Sequence, residues 1–457
     1  MPALMVQGVS SSAGKSLLAT ALVRFFARLG VRVAPFKAQN MSNNARVVGG
    51  GEIGVAQYLQ ALAARIEPDT RMNPVLVKPE GDTRSQVIVD GRPDLALSAR
   101  PWRDRAPALW APIERALRSL LAEFELVVVE GAGSPAETNL RSTDLANMRV
   151  ALAAEAPVVL VADIDRGGAF AHLYGTWSLV RADERATIRA FVLNKFRGDA
   201  SLLAPAPADL EQLTGVPVIG VLPWLEHGLP DEDGAAARGG SGATVAVVRY
   251  PTASNLDELR RLEQVARVDW VTEPHRLDGA ELVVLPGSKH VAADLDWLCR
   301  TGLADAVAAR ARSGGRVLGI CGGLQMLGDA LHDDAGVDGS APGLGLLPVT
   351  TRFQRAKLTR HVTVSLGALA EPWSALTGAE FPGYEIRHGR LEPELDVVAR
   401  GSVLGVTAHG LFESERVLEA LFGRTPRRSL DAVFDELADS VEEHLDCGRL
   451  RALAGVT

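Results

Sequence analysis

The chain has 457 residues, of which 47% are hydrophobic and 23% are charged, so it can form two or three globular domains and is too apolar to be disordered. Its formal net charge is −8, from 48 Lys and Arg against 56 Asp and Glu. It has no block of basic residues like the basic stripe that contacts phosphate backbones, so nucleic acid is not an expected partner.

Cysteine usage and hydropathy indicate the compartment. Cys299, Cys321 and Cys447 are too few for a disulfide framework and lack metal-binding spacing. Apolar runs stay well below the roughly 18 residues of a membrane span, and Lys15 interrupts the first one. We therefore expect an unprocessed cytoplasmic protein with no membrane partner, and the sequence leaves open whether it forms a homo-oligomer.

Short runs of Val, Ile and Leu alternate with helix-period stretches, a pattern typical of parallel strands covered by helices on both faces. From His227 to Gly242 the composition changes to Gly, Ala and acidic residues, which predicts a linker at 227–243 between domains 1–226 and 244–457. The strands predicted for the first half are Leu4–Gly8, Val31–Phe36, Leu126–Glu130, Val158–Asp163, Ile188–Leu193 and Val218–Leu222.

A second α/β series follows the linker, so we predict an α/β fold with two doubly wound domains. A final helical stretch is predicted over Ser429–Leu453. The strands and β-rich segments predicted here are Val245–Tyr250, Leu282–Leu285, Val317–Ile320, Leu346–Val349, His361–Leu366 and Val403–Ala408.

The first strand runs into a glycine-rich loop, which is followed by a helix predicted over Leu17–Leu29. Gly8 and Gly14 frame the loop, and Lys15 and Ser16 follow it. Backbone N–H groups of such a loop wrap phosphate oxygens, the lysine contacts the β- and γ-phosphates, and the serine hydroxyl binds Mg²⁺. Five residues separate the two glycines, instead of the commoner four.

A Mg²⁺ site also needs hard oxygen ligands near the loop. Glu130 ends the strand Leu126–Glu130 and is the first candidate. Glu52 and Asp163 are weaker candidates, because a carboxylate at a strand end often caps the next helix.

A cysteine in the second half lies where a strand turns into a helix. Cys321 has glycines two residues before and two after it, the G-x-C-x-G layout of a nucleophile elbow. The helix N-terminus favours a thiolate, and the N–H groups of Gly322 and Gly287 are placed to stabilise an oxyanion. The alternative interpretation of Cys321 is a small buried hydrophobic residue.

A thiolate nucleophile uses histidine as its proton shuttle. His409 follows the predicted strand Val403–Ala408, and strand ends are where α/β active sites collect. His388 is the second candidate.

These motifs carry a resemblance. Residues 320–328 (ICGGLQMLG) and 408–413 (AHGLFE) resemble the class I, triad-type glutamine amidotransferases, which implies a flavodoxin-like C-terminal domain, and the first half resembles the dethiobiotin-synthetase-like P-loop proteins. Both halves together resemble the cobyric acid synthase family. The further matching segments are 36–44 (FKAQNMSNN), 50–54 (GGEIG), 130–134 (EGAGS), 163–168 (DIDRGG) and 194–198 (NKFRG).

The resemblance implies ATP-, Mg²⁺- and glutamine-dependent amidation of a corrinoid substrate in cobalamin biosynthesis. It makes Cys321 the nucleophile and His409 its base, and it places Asn194 at the adenine. Asn40, Asn43 and Asn44 are candidates for contacting the corrinoid, although asparagines also form turns. Glu413 lies four residues after His409, not two as in many triad enzymes, so the third member stays unassigned.

Three alternatives remain at this stage. One is a cobyrinic acid a,c-diamide synthase or a related amidotransferase fusion that acts on another polycarboxylate. Another is a positioning ATPase of the MinD type, although Ser10 stands where that class has a signature lysine. The third is an inactive amidotransferase fold, which the presence of both Cys321 and His409 disfavours.

Overall fold

The computed structural model describes residues 2–81, 83–229 and 242–456. Most of the predicted linker 227–243 therefore lies outside the described residues. Within the described residues, no helix combines the length and the apolar character needed to cross a membrane.

The N-terminal half is built on a six-stranded parallel sheet, as predicted. Its strands are, in spatial order, Val218–Pro223, Ile188–Phe196, Val158–Asp163, Ala3–Gly8, Leu126–Glu130 and Val33–Phe36. All carboxyl ends meet at one edge, which is where α/β folds bind ligands. Its helices are Lys15–Arg28, Val55–Ala63, Leu95–Ala99, Ala106–Glu123, Met148–Ala153, Ala169–Leu179, Ala182–Arg185 and Ala206–Thr214.

Two small sheets, which the sequence did not predict, interrupt this domain after its second strand. One is a hairpin of Ala45–Val48 and Gly51–Gly54. The other contains Gln39–Met41, Val75–Gly81, Arg84–Val89 and Arg92–Pro93. They bring the Asn-rich segment 40–44 next to the phosphate loop.

The C-terminal half has its own six-stranded sheet, parallel except at one edge strand. Its spatial order is Arg267–Val271, Thr244–Val248, Leu282–Leu285, Arg316–Ile320, Val403–Val406 and Val397–Arg400. Its helices are Leu259–Leu262, Val291–Arg300, Leu303–Arg312, Gly322–Leu327 and Glu415–Phe422. The two-domain α/β prediction is thereby confirmed.

The segment Leu346–Val349 is not a strand, so that prediction is wrong. The N–H groups of Leu346 and Leu347 both donate to the carbonyl of Leu327, at 2.9 Å each, and close the end of the helix that follows Cys321. Pro348 has no N–H to give to a sheet ladder. The strand begins at Thr350 and runs to Ser365 as one arm of a long hairpin with Glu380–Glu392.

Three further short pairings complete the C-terminal half. Ala253–Ser254 pairs with Gly287–Ser288, and Ala330–His332 pairs with both Ala341–Pro342 and the strand that begins at Thr350. Single 3-10 turns in the chain are Thr70–Met72, Trp102–Asp104, Ala200–Leu203, Leu256–Glu258, Pro274–Leu277, Ser374–Leu376 and Leu411–Glu413.

The predicted final helix is two helices, Leu430–His444 and Cys447–Leu453, broken where Leu445 bridges to Gly220 of the N-terminal sheet. The first of them packs on helix Lys15–Arg28. Its apolar residues Val433, Phe434, Leu437 and Val441 join the core of the N-terminal half, and buried Arg24 pairs with Asp431 and Asp435 at 2.9 and 2.8 Å. By packing, the end of the predicted domain 244–457 therefore belongs to the first domain.

Candidate functional site

The loop from Gly8 to Ser16 joins the central strand Ala3–Gly8 to helix Lys15–Arg28. Lys15 Nζ donates to the carbonyls of Ser10 and Gly133, both at 3.0 Å. A Cβ on Gly8 would lie 3.1 Å from Lys15 Nζ, so the glycine lets the ammonium fold back over the loop. This holds the positive charge at the mouth of the loop.

Gly14 is required by its backbone and by its neighbour. Its φ is 102°, in the left-handed region, and an added Cβ would lie 1.9 Å from Asn194 Nδ2. Asn194 Nδ2 donates to the carbonyl of Ala13 at 3.0 Å, whereas its buried Oδ1 has no hydrogen-bond partner among the described residues. A buried acceptor of this kind suits a ligand amino group.

Glu130 lies beside the loop, fully buried. Its Oε1 accepts from Ser16 Oγ at 2.7 Å and from Lys37 Nζ at 2.9 Å, and its Oε2 accepts from Gln60 Nε2 at 2.6 Å. Burial raises the pKa of Glu130, but Lys37, Gln60 and Ser16 outweigh it, so the pKa lies below its usual value. The residue is an ionised carboxylate next to a serine hydroxyl.

This donor set fits Mg²⁺, which takes one or two hard protein oxygens and completes its shell with phosphate oxygens and water. Across residues 2–81, 83–229 and 242–456, no group of three or more His, Cys, Asp or Glu side chains is placed to hold a metal ion. Asp163 contacts Lys195 instead, at 2.9 Å.

Glu52 lies in a different environment from the one expected of a magnesium ligand. Its carboxylate accepts from Lys78 at 2.6 Å and from Lys357, which belongs to the C-terminal hairpin. Burial raises the pKa of Glu52, but Lys357 and Lys78 outweigh it and lower the pKa to about 2. Both oxygens are engaged by ammonium groups, so Glu52 joins the two domains and is omitted from the proposed metal site.

A cavity of about 810 Å³ opens over the phosphate loop and lies between the domains. Lys15 and Ser16 line one side, and Tyr250 and Leu256 of the C-terminal domain line another. Its walls also include the three predicted asparagines, Asn40, Asn43 and Asn44.

These asparagines differ in what they contact. Asn40 Nδ2 donates to Gln57 Oε1 at 3.2 Å, and Asn44 Oδ1 accepts from the N–H of Leu256 at 2.9 Å. Asn43 Nδ2 donates to the carbonyl of Pro79 at 3.2 Å, and its buried Oδ1 has no hydrogen-bond partner among the described residues.

Cys321 is the single residue between strand Arg316–Ile320 and helix Gly322–Leu327. Its φ and ψ are 51° and −105°, a strained conformation for a residue with a side chain. Neighbouring glycines make the turn sterically feasible: a Cβ on Gly323 would lie 1.9 Å from the carbonyl oxygen of Leu285. This is the geometry of a nucleophile elbow.

His409 is buried, and its side chain interacts electrostatically with that of Cys321. Its Nδ1 lies 2.9 Å from Glu258 Oε1, and Glu258 Oε2 accepts from the N–H of Gly410 at 3.0 Å. Burial lowers the pKa of His409, but the Cys321 sulfur and the Glu258 carboxylate outweigh it and raise the pKa to about 10. The three side chains form a Cys–His–Glu arrangement.

Glu258 is absent from the predicted site residues. It is 151 positions from His409 and lies on the turn Leu256–Glu258, after the first strand of the C-terminal sheet. The sequence signal that could have identified Glu258 is an acidic pair, Asp257 and Glu258, shortly after a strand in an α/β domain.

The other two candidates near this site have different partners. Glu413 pairs with Arg46 of the N-terminal domain. His388 Nδ1 contacts the carbonyl of Gln354 at 3.0 Å, and burial together with nearby Lys357 lowers the pKa of His388 to about 4.

The two predicted oxyanion glycines adjoin the triad. A Cβ on Gly287 would lie 2.6 Å from His409 Cε1, and one on Gly322 would lie 2.6 Å from the backbone nitrogen of Ser288. The backbone of Gly287 and Ser288 therefore packs closely against both the imidazole and the residue that follows Cys321.

Comparisons with known proteins match one profile to each half of the chain. A profile described as "CobQ/CobB/MinD/ParA nucleotide binding domain" matches residues 4–229, and one described as "CobB/CobQ-like glutamine amidotransferase domain" matches residues 244–417. The first description also covers MinD and ParA, so it shows a nucleotide-binding domain without separating the alternatives.

Similarity to full-length relatives distinguishes between these alternative functions. The chain is 53% identical to the cobyric acid synthase of Polaromonas sp. strain JS666 over 98% of both chains. It is 54% identical to that of Variovorax paradoxus strain S110 over 98% of both chains, and 57% identical to that of Paracidovorax citrulli strain AAC00-1 over 97% of both chains.

A nucleotide-binding α/β domain joined to a glutamine amidotransferase domain defines the class of glutamine-dependent amidoligases. Within that class, the chain belongs to the cobyric acid synthase family.

Proposed function

We propose that this chain uses ATP and glutamine to amidate the b, d, e and g carboxylates of adenosylcobyrinic acid a,c-diamide, giving adenosylcobyric acid in cobalamin biosynthesis. One observation carries the proposal: a phosphate loop with its own cavity and a buried Cys321–His409–Glu258 arrangement occur in one chain of this family. Each amide formed consumes one glutamine, one ATP and one water, and releases glutamate, ADP and phosphate.

The glutaminase half-reaction follows from the triad. Cys321 Sγ attacks the amide carbon of glutamine, and the N–H groups of Gly287 and Gly322 stabilise the oxyanion that forms. His409, held protonated by its raised pKa, gives its proton to the leaving ammonia. Water then cleaves the thioester to glutamate, and Glu258 keeps the imidazole oriented through Nδ1.

The synthetase half-reaction belongs to the phosphate loop. The loop between Gly8 and Ser16 holds the ATP phosphates, and Asn194 contacts the adenine. Lys15 stabilises the charge on the γ-phosphoryl group as it moves to a substrate carboxylate. The resulting acyl phosphate is attacked by ammonia, which gives the carboxamide and phosphate.

Ser16 and Glu130 are the residues that would hold Mg²⁺, because a hydroxyl and an ionised carboxylate adjoin there. The ion supplies positive charge to the ATP phosphates during transfer. Lys37 keeps Glu130 ionised in its buried position.

We expect Asn43 to contact the corrinoid, since its buried Oδ1 is without a hydrogen-bond partner among the described residues and the residue lines the cavity. Asn40 and Asn44 line the same wall. Carboxamide groups can bond both the carboxylates of the substrate and the amides of the product.

The test is to incubate the full chain with ATP, Mg²⁺ and glutamine, using the a,c-diamide in one reaction and cobyrinic acid in another. The products are then analysed by mass spectrometry. Replacement of hydroxyl by amino lowers the mass at each step, so four successive steps on the a,c-diamide are expected. Amidation of cobyrinic acid at its a and c carboxylates alone would favour the diamide synthase instead. ATP hydrolysis without any glutaminase activity would favour a positioning ATPase.

A further inference from the structure

A short segment of the N-terminal domain lies against the segment of the C-terminal domain that carries Glu258. The N–H of Leu256 donates to Asn44 Oδ1 at 2.9 Å. Asn255 Nδ2 donates to the carbonyl of Ala45 at 3.2 Å. These bonds tie consecutive residues of one domain to consecutive residues of the other.

The next residue, Arg46, adds ion pairs to the same contact. Its Nε donates to Asp257 Oδ2 at 2.7 Å, and its guanidinium also contacts Glu413. Asp257 is buried and directly precedes Glu258. Arg46 thus neutralises two carboxylates within a few residues of the triad, on both the Glu258 and the His409 side.

Arg46 also reaches the triad through an aromatic ring. Its guanidinium lies over the ring of Tyr384, 4.8 Å from the centroid. Tyr384 stacks on His409 with 5.3 Å between ring centroids and 26° between planes, and its hydroxyl accepts from Asn255 Nδ2 at 3.1 Å. The imidazole is therefore packed on a ring that Arg46 of the N-terminal domain also contacts.

The segment that carries Glu258 depends on these contacts for its position. Residues Leu256–Glu258 form a single 3-10 turn, and Asn255 before it has a left-handed φ of 55°. Without Arg46, the carboxylate of Asp257 would lose its cation in a buried place, which is strongly unfavourable. The turn would then move to find another partner, and Glu258 would move with it.

We propose that residues Asn44–Arg46 of the synthetase domain position Glu258, so that the glutaminase triad is complete only when the two domains are docked. The inference rests on the proposed function, which assigns Glu258 to the triad. Asn44 also lines the nucleotide cavity, so the same segment contacts both sites. Arg46 is a positioning residue because it acts through Asp257 and Tyr384.

A double-mutant cycle on the full-length chain tests this coupling. Glutaminase kcat and KM are measured for the wild type, Arg46→Gln, Glu258→Gln and the double variant. We expect Arg46→Gln to lower kcat about tenfold with KM for glutamine changed less than about twofold, since it misplaces a catalytic group without touching substrate. In the Glu258→Gln background, Arg46→Gln should cost less than about twofold, because the residue it positions is already absent.

Two further variants and one control sharpen the result. Asp257→Asn removes the same ion pair from the other domain and should reproduce the kcat loss, and Arg46→Lys should restore part of it. Arg352→Gln is the matched control, because Arg352 also pairs with two carboxylates, Asp334 and Glu392, at an exposed place. Its kcat should equal that of the wild type.

Additive losses in the cycle overturn the inference, and they are also the result expected if Arg46→Gln only unfolds the chain. A rise in KM with unchanged kcat overturns it as well. These outcomes differ from a failure of the proposed function, in which the wild type lacks glutaminase activity or Glu258→Gln leaves kcat unchanged.

Discussion

Two turns of this molecule, the phosphate loop and the cysteine elbow, lie at equivalent places in their sheets, each between a central parallel strand and a helix. The phosphate loop uses Val9–Gly14 to make the connection, with left-handed φ at Ser12 and Gly14. The elbow makes this connection with Cys321 alone, so one residue forms the whole turn and adopts the strained backbone conformation.

The difference teaches how one topology serves two chemistries. A long loop exposes several backbone N–H groups, so the main chain itself can bind an anion. A one-residue elbow projects a single side chain from the turn and packs the backbone around it tightly, as shown by the 1.9 Å approach of a Gly323 Cβ to the Leu285 carbonyl oxygen. Substitutions at the two turns should therefore separate the two half-reactions.

The largest expected effect is on the elbow. Cys321→Ala should lower glutamine-dependent amidation by on the order of 10⁴-fold or more, since no other group can form the thioester. Amidation from high ammonium at raised pH should persist, because the phosphate loop needs only NH₃ and an activated carboxylate. Both rates are measured by corrinoid mass spectrometry.

Cys299→Ala and Cys447→Ala are the controls for this variant, because Cys299 is exposed and Cys447 only half-buried, away from any such turn. Both should keep glutamine-dependent turnover. Normal glutamine-dependent turnover by Cys321→Ala would leave Cys321 with only a structural role. Loss of the ammonia reaction as well would show that the two turns are not separable.

The phosphate loop should give the complementary result. Lys15→Ala should lower amidation by on the order of 10²-fold or more with either nitrogen source, because neither bypasses activation of the carboxylate by ATP. ADP release and product mass are measured together. Near-normal amidation from ammonium would contradict the assignment of the loop.

Glu130→Gln should weaken the same half-reaction less. The loss of one anionic oxygen beside Ser16 should raise the Mg²⁺ concentration needed for half-maximal ammonia-dependent rate by about tenfold. Titration with Mg²⁺ at saturating ATP measures this. An unchanged Mg²⁺ requirement would leave Glu130 with only the structural role of pairing with Lys37.

The smallest expected effect is a displacement of a pH profile. Glutaminase should lose rate as the pH rises toward about 10, where His409 loses the proton that it gives to ammonia. Glu258→Gln removes one group that raises the pKa of His409, so the alkaline limb should move to lower pH. Glu263→Gln is the control, because Glu263 is a carboxylate of the same domain that pairs with Arg260, at 2.9 Å. An alkaline limb that stays in place or moves upward in Glu258→Gln would contradict the role of Glu258.

Local motifs explain why so much of the fold and site could be predicted. Cys321 directly follows a strand, His409 comes three residues after one, and Lys15 and Ser16 follow the glycine-rich loop that continues a strand. Strand and turn signals therefore locate all four residues. Glu258 could not be found this way, because its partner His409 is distant in sequence and acidic residues after a strand are common. Glu52 likewise has a partner, Lys357, from the other domain.

The same limit applies to the end of the chain. The period of Ser429–Leu453 predicts a helix, and the structure has helices there. Periodicity identifies an apolar face without saying which domain covers it. The choice of helix Lys15–Arg28 as its neighbour depends on tertiary contacts such as that of Arg24 with Asp435.

The contact between these two helices makes the synthetase domain discontinuous in sequence. Because the chain leaves the synthetase domain, builds the amidotransferase sheet and then returns with Leu430–His444, the amidotransferase domain is topologically an insertion and not an appended tail. A cut at the end of the first profile match, residue 229, would strip the synthetase domain of a helix that adds Val433, Phe434, Leu437 and Val441 to its core and pairs with Arg24. Co-produced fragments divided there should instead reassociate, since the returning helix carries its own binding face.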